Sequence, residues 1–221
     1  MKALTQFQAN IAAAESLVAM YRELRASREL GARGVLSAEN QDLLWLPRSS
    51  VVATISSLDT YIHSVVKRRL PRLFRAAKTV PDALSEQLAQ LLPIKNAASF
   101  KEAVPILAAT DTIAQLLKKL DEKYLRFQSF QAPEKVIDAY RMVGYDNIFV
   151  KVAAIWPGPN TTEDSIKRKL SGYVQRRNQI AHEGDREANG SARPMQPDYA
   201  INCRDFVVNL VTRLDQVVYE A

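Results

Sequence analysis

Apolar residues along this chain recur every three to four positions and rarely alternate, which is the pattern of helices packed through one face rather than of strands. Phe7, Ile11, Ala14, Val18, Tyr21 and Leu24 trace a stripe through a long first helix, which ends near Gly31 and Gly34. Pro47 and Ser49-Ser50 open a second helix whose stripe of Val51, Ile55, Leu58, Ile62 and Val65 runs to Pro71. Pro81, Pro93, Pro105 and Pro133 divide the stretch from Val80 to Ala132 into shorter helices, of which Thr110 to Phe127 is the most continuous. Tyr140 to Trp156 reads as a helix pair, followed by the turn Trp156-Pro157-Gly158-Pro159-Asn160.

Thr161 or Thr162 is then the N-cap of a helix over Glu163 to His182, with Ile166, Leu170, Tyr173, Ile180 and Ala181 on its apolar stripe. A polar loop from Glu187 to Pro197 leads to a last helix, Asp198 to Tyr219, carrying Ile201, Phe206, Leu210, Val211, Leu214 and Val218. The expected fold is all-α: an up-and-down helical bundle with a long N-terminal helix and additional short helices. Residues 1–46 read as a packing or dimerising arm and 47–221 as the bundle domain.

Composition narrows the class. With 221 residues, 47% of them hydrophobic, the chain can bury a substantial core, and only 7 glycines accompany its Ala-, Leu-, Glu- and Lys-rich runs. A net charge of +6 and a sequence pI near 9.4 favour anionic partners. Cys203 stands alone, which excludes an intrachain disulfide and a cysteine-rich zinc site. No run approaches about 20 apolar residues, so no membrane association is expected and the protein should stay in the cytoplasm. No phosphate loop, dinucleotide fingerprint, nucleophile elbow or His-Glu-x-x-His pair occurs.

The chemistry concentrates in Arg177-Asn178-Gln179-Ile180-Ala181-His182, at the end of the penultimate helix. Gly184 follows where a left-handed cap is expected, so His182 should lie in the last turn near solvent. There the helix dipole favours its protonated form. Arginine binds phosphate through a planar fork, and histidine gives and takes protons near neutral pH; phosphodiester cleavage needs both. At about 100° per residue, Arg177 falls in the middle of the apolar stripe, where a charge must be paired or face a wet cleft. A buried ion pair with an acid elsewhere is the alternative role for Arg177, and Asp59 is one such acid. His182 is rotated about 140° from Arg177 on an ideal helix, whereas Asn178 and His182 are four apart and share a face.

Other residues carry weaker signals. Asp59 and His63 are four apart and can touch; a structural role for His63, ordered by its acidic neighbour, is favoured over catalysis. Lys67, Arg68, Arg69, Arg72 and Arg75 form a basic run, and Lys118, Lys119 and Lys123 another. Both read first as solvated faces, the former also as a backbone contact for RNA. Tyr124, Phe127 and Phe130 have the chemistry to stack on bases, with core packing the favoured reading. Glu183 and Asp185, flanking His182, are a minor alternative as ligands of a divalent ion.

Arg177-Asn178-x3-His182 resembles the signature of the HEPN superfamily of helical ribonucleases. The longer string Arg176-Arg177-Asn178-Gln179-Ile180-Ala181-His182-Glu183-Gly184-Asp185, with Ser57-Leu58-Asp59-Thr60-Tyr61-Ile62-His63 upstream, is similar to the RiboL-PSP type of HEPN domain. The likeness covers roughly Pro47 to the C-terminus. It implies a HEPN-like bundle and a metal-independent endoribonuclease without cofactor, working as a homodimer whose two motifs face each other in a cleft. Arg177, Asn178 and His182 would be the catalytic residues, with Arg176, Glu183, Asp59 and His63 in support. One branch of the superfamily carries a modified tyrosine two residues beyond the histidine; Gly184 stands at that place here, so that control is not expected.

Two function classes follow. One is an endoribonuclease cleaving single-stranded RNA by 2′-hydroxyl attack, giving a 2′,3′-cyclic phosphate and a 5′-hydroxyl, in a toxin-like or antiviral defence role with a neutralising antitoxin or defence-system partner protein. The other is a non-catalytic helical module that binds RNA or a partner protein.

Overall fold

The computed structural model describes residues 2–31, 34–76, 80–92, 94 and 96–219. Among them are nine α-helices and no strand, in agreement with the all-α expectation. In chain order these are α1 (Ala3–Ser27), α2 (Trp45–Ala76), α3 (Asp82–Leu91), α4 (Ala97–Leu107), α5 (Thr112–Lys123), α6 (Pro133–Met142), α7 (Ile148–Ala154), α8 (Glu163–His182) and α9 (Pro197–Tyr219), with short 3-10 turns at Ala38–Leu44 and Leu125–Phe127. No helix among the described residues is long and apolar enough to cross a membrane.

The chain forms two compact units, one made of Met1–Tyr61 with Phe149–Ala221 and the other of Ile62–Ile148. In the first, α1 packs along α9. Phe7, Ile11, Ala14, Val18 and Tyr21 are buried as their spacing predicts, together with Val51, Ile55 and Leu58 of α2 and Phe206, Leu210, Val211 and Leu214 of α9. Two polar contacts fix the register: Ser50 Oγ donates to the Ala14 carbonyl at 2.8 Å, and the Tyr61 hydroxyl donates to Asp215 at 2.9 Å. The stripe of α1 ends differently from the sequence reading. Leu24 is exposed and Arg25 is buried instead, because its guanidinium folds back on the chain leaving the helix. It donates to the Tyr21 hydroxyl at 2.9 Å and the Gly34 carbonyl at 3.1 Å, which offsets the cost of burying the charge.

In the second unit, α3 packs on α5 and α6, and α4 on α5, around Val65, Val66, Leu70, Leu84, Leu120, Leu125, Phe130 and Tyr140. The helix expected to stop at Pro71 continues through it to Ala76. Pro71 removes only the donor for the carbonyl of Lys67, an exposed residue where solvent can replace it. Pro133 opens α6 at its first position rather than merely ending what precedes it, so that helix begins before Tyr140. Pro93 lies outside the described residues. Of the three candidate stacking aromatics, Phe130 is buried, Tyr124 half-buried and Phe127 exposed. The basic run is partly engaged: Lys67 pairs with Asp121 at 2.8 Å, and Arg69 donates to the Tyr145 hydroxyl at 3.0 Å.

Candidate functional site

The helix that carries the motif, α8, spans the predicted residues. Thr162 caps it in a reciprocal box with Ser165, each side chain meeting the other's backbone N–H at 3.2 Å. Its buried face is Ile166, Leu170, Tyr173, Val174 and Ile180. Val174 takes the place expected for Ala181, which is exposed. Tyr173 packs edge-on against Tyr199, their ring centroids 5.4 Å apart, and lies 5.5 Å from Phe206. Burial pushes the phenols of Tyr173 and Tyr199 up to about 12, and the buried Cys203 thiol likewise to about 12.

At the C-terminal end the Gln179 carbonyl accepts the backbone N–H groups of both Glu183, at 3.1 Å, and Asp185, at 3.0 Å. The turn between them needs left-handed backbone, with φ of 61° at Gly184 and 55° at Asp185. Glycine takes this conformation without strain, and aspartate is among the few other residues that tolerate it. The turn aims the Asp185 side chain inward, where it is fully buried.

A carboxylate so placed needs cations, and two arginines supply them. Arg48, from the start of α2 and 5% exposed in its side chain, donates through Nε to Asp185 Oδ2. Arg176 of α8 donates Nη2 to the same oxygen at 3.0 Å and sets Nη1 2.7 Å from Oδ1 as an ion pair without hydrogen-bond alignment. The remaining donors reach the chain that follows: Arg48 Nη2 to the Arg193 carbonyl and Arg176 Nη2 to the Pro194 carbonyl, both at 2.8 Å. Arg193 in turn donates its backbone N–H to the Asp185 carbonyl at 2.8 Å and pairs its guanidinium with Glu183 and Glu187 at 3.4 and 3.3 Å. The loop after His182 is therefore clamped onto α8 and α2.

Arg177, next to the clamp, has a different environment. It is half-buried, its Nη1 donates to Asn178 Oδ1 at 3.1 Å, and its buried Nε has no hydrogen-bond partner among the described residues. No carboxylate pairs with it there. The buried ion pair foreseen as its alternative role lies one residue earlier, at Arg176. Asn178 and His182 are both exposed on one face of the helix end. Glu183 and Asp185 do not form a two-carboxylate ion site, since each faces arginine, and no cluster of three possible metal ligands occurs among the described residues.

The upstream string is divided. Asp59 is half-buried on α2 within the first unit, whereas His63 belongs to the second. There the His63 ring nitrogen Nε2 lies 3.1 Å from the Gln128 carbonyl, and the ring packs 4.6 Å from that of Phe130. Arg48 was not singled out from the sequence. It stands three residues before Val51 on the stripe of α2, so the rule that marks a charge on an apolar stripe, applied above to Arg177, would also have marked Arg48.

No curated protein and no solved structure matches this chain. The model of one family, described as RiboL-PSP-HEPN, matches residues 22–220, a span that begins within α1 and takes in both arginines of the clamp and all of α8. HEPN domains are all-α and often ribonucleases, so the match suggests an RNase-type or RNA-related function. The extent of that match, together with the all-α architecture of the described residues and the Arg177-to-His182 string at the end of α8, makes this chain a member of the RiboL-PSP-HEPN family.

Proposed function

We propose that the protein is a metal-independent endoribonuclease that cleaves single-stranded RNA by attack of a 2′-hydroxyl on the adjacent phosphate. The observation that carries the reading is the division of labour between two adjacent arginines. Arg176 is committed to a buried carboxylate, while Arg177, half-buried and without an acid partner among the described residues, keeps its charge for an anion. Arg177 holds the scissile phosphate and stabilises the charge that grows on its equatorial oxygens. Asn178 orients Arg177, or His182 beside it. His182 takes the proton from the 2′-hydroxyl as the 2′-oxygen bonds to phosphorus; the bond from phosphorus to the 5′-oxygen breaks, and a second acid protonates the leaving oxygen. Arg177 and His182 are about 140° apart round an ideal helix, so they meet at one phosphate through wrapping of the long Arg177 stem, loosening of the last turn or the motif of a second copy, and one chain offers a single histidine in the motif. The His182 of a second copy serves as the acid in a twofold homodimer. On the resemblance alone, we read the role as a toxin-like or antiviral defence effector in the cytoplasm, restrained by a neutralising partner protein.

That separation round the helix also favours a second reading, a non-catalytic module that binds RNA or a partner protein. Incubation of the purified protein with single-stranded RNA in EDTA discriminates. The first reading expects 2′,3′-cyclic phosphate ends, and a fall of about 100-fold or more in His182→Ala and in Arg177→Ala, with unchanged circular dichroism. RNA bound but intact supports the second reading. Cleavage that disappears in EDTA and returns with a divalent ion refutes the metal-independent mechanism.

A further inference from the structure

Among the described residues, Trp45 is a large aromatic side chain left 49% exposed at the first position of α2. It is not isolated from the motif. The guanidinium carbon of Arg48 sits 5.4 Å from the centre of its ring, and the same guanidinium hydrogen-bonds Asp185, three residues beyond His182. One buried side chain thus links an open indole to the loop that closes the motif helix. Arg48, itself held by Asp185 and the Arg193 carbonyl, braces the ring, so little side-chain entropy remains to be lost when something stacks on it.

The charge around this indole selects the kind of partner. Arg48 and Arg176 share the single carboxylate of Asp185, Arg177 beside them has no acid partner among the described residues, and the nearby acids Glu183 and Glu187 are answered by Arg193. The excess is cationic, which suits a phosphate backbone. A flat ring with one open side, braced by a guanidinium next to a positive field, suits an unpaired base. We infer that Trp45 is a base-stacking subsite that holds a nucleotide of single-stranded RNA beside the Arg177 and His182 motif. This rests on the ribonuclease reading for the identity of the ligand, but it concerns binding and not the chemical step. Stacking has no hydrogen-bond readout, so the subsite is tolerant of base identity while favouring single strands over duplexes, in which bases are already stacked.

The test uses the full chain and a 2′-O-methyl single-stranded oligonucleotide, which binds but has no 2′-hydroxyl to attack. The chain has two tryptophans. In a Trp156→Phe background Trp45 is the sole tryptophan reporter, and saturable quenching of its emission on titration is expected. A 5-fluorotryptophan-labelled wild-type chain followed by fluorine NMR gives the same reading without the substitution. Trp45→Ala should weaken binding, measured by anisotropy of a labelled oligonucleotide, by about 5- to 150-fold, and Trp45→Phe should restore most of the loss. If the oligonucleotide binds but leaves Trp45 emission unchanged and Trp45→Ala binds as tightly, the inference is overturned while the ribonuclease reading stands. If Trp45→Ala alters oligomeric state in sedimentation and leaves RNA affinity intact, the indole belongs to a protein interface and the inference is likewise wrong. Failure of wild type to bind any single strand removes the RNA reading, and this subsite with it.

Discussion

Replacing Asp185 by alanine should destabilise the fold by about 3–5 kcal/mol, the range for removing one partner of a buried ion pair. Asp185 has no exposed surface, and its partners Arg48 and Arg176 have side chains 5% and 14% exposed. Without the carboxylate, Arg176 can turn its guanidinium outward, but Arg48, 5% exposed, retains the Arg193 carbonyl and the Trp45 ring and, among the described residues, no counter-charge, so its stranded charge dominates the cost. Arg48→Ala leaves Asp185 still paired with Arg176 and should fall at the lower end, about 3 kcal/mol. The double variant Arg48→Met with Asp185→Asn removes both charges of this pair while keeping at 185 a residue that tolerates left-handed backbone, and should recover much of the loss. At about 2–4 °C per kcal/mol for a chain of this length, Asp185→Ala should melt roughly 6–20 °C lower. Urea unfolding followed both by circular dichroism and by tryptophan emission provides the free energy, with coincident transitions required because the chain has two compact units. An Asp185→Ala variant within about 1 kcal/mol of its parent, the ceiling for solvent-exposed pairs, would refute the clamp as a buried ion pair.

Two further outcomes concern α8 and the residues of α9 packed beside it. A side chain added at Gly184 meets nothing within 4 Å, so Gly184→Ala is opposed only by its φ of +61° and should destabilise by about 1 kcal/mol, whereas Gly172→Ala, equally open but mid-helix, should stabilise by about as much in urea unfolding. Burial raises Tyr173 and Tyr199 from 10.0 to about 12 and Cys203 from 9.0 to about 12. Each is neutral when protonated, so the stability it confers is complete below the unfolded value and lost as pH rises to the folded one. Melting temperature should therefore decline between pH 9 and 12, with phenolate absorbance rising above pH 10 in step with unfolding; a flat melting temperature through that window would contradict the burial.

Much of the helical architecture and the position of the motif were legible in the chain itself. A periodicity of about 3.6 residues is a local property, and it identified α1, α8, α9 and the stripe of α2, while the Pro-Gly-Pro-Asn run marked the turn before Thr162. A proline is also local, but its consequence is not: Pro71 is tolerated within α2 because the residue it deprives is exposed, and Pro133 begins α6 instead of only ending what precedes it. Which charges are buried was decided by tertiary structure. Arg25 replaces Leu24 on the stripe of α1 because carbonyls of the departing chain wait for its donors, and nothing in spacing announces them. The sequence could place Arg176 and Arg177 side by side, yet it could not say which of them would carry the ion pair. That depended on Asp185, turned inward by a left-handed bend, and on Arg48, 137 positions away along the chain. Helix periodicity records which face is apolar, whereas the partner of a buried charge is set by segments that meet only after the chain has folded.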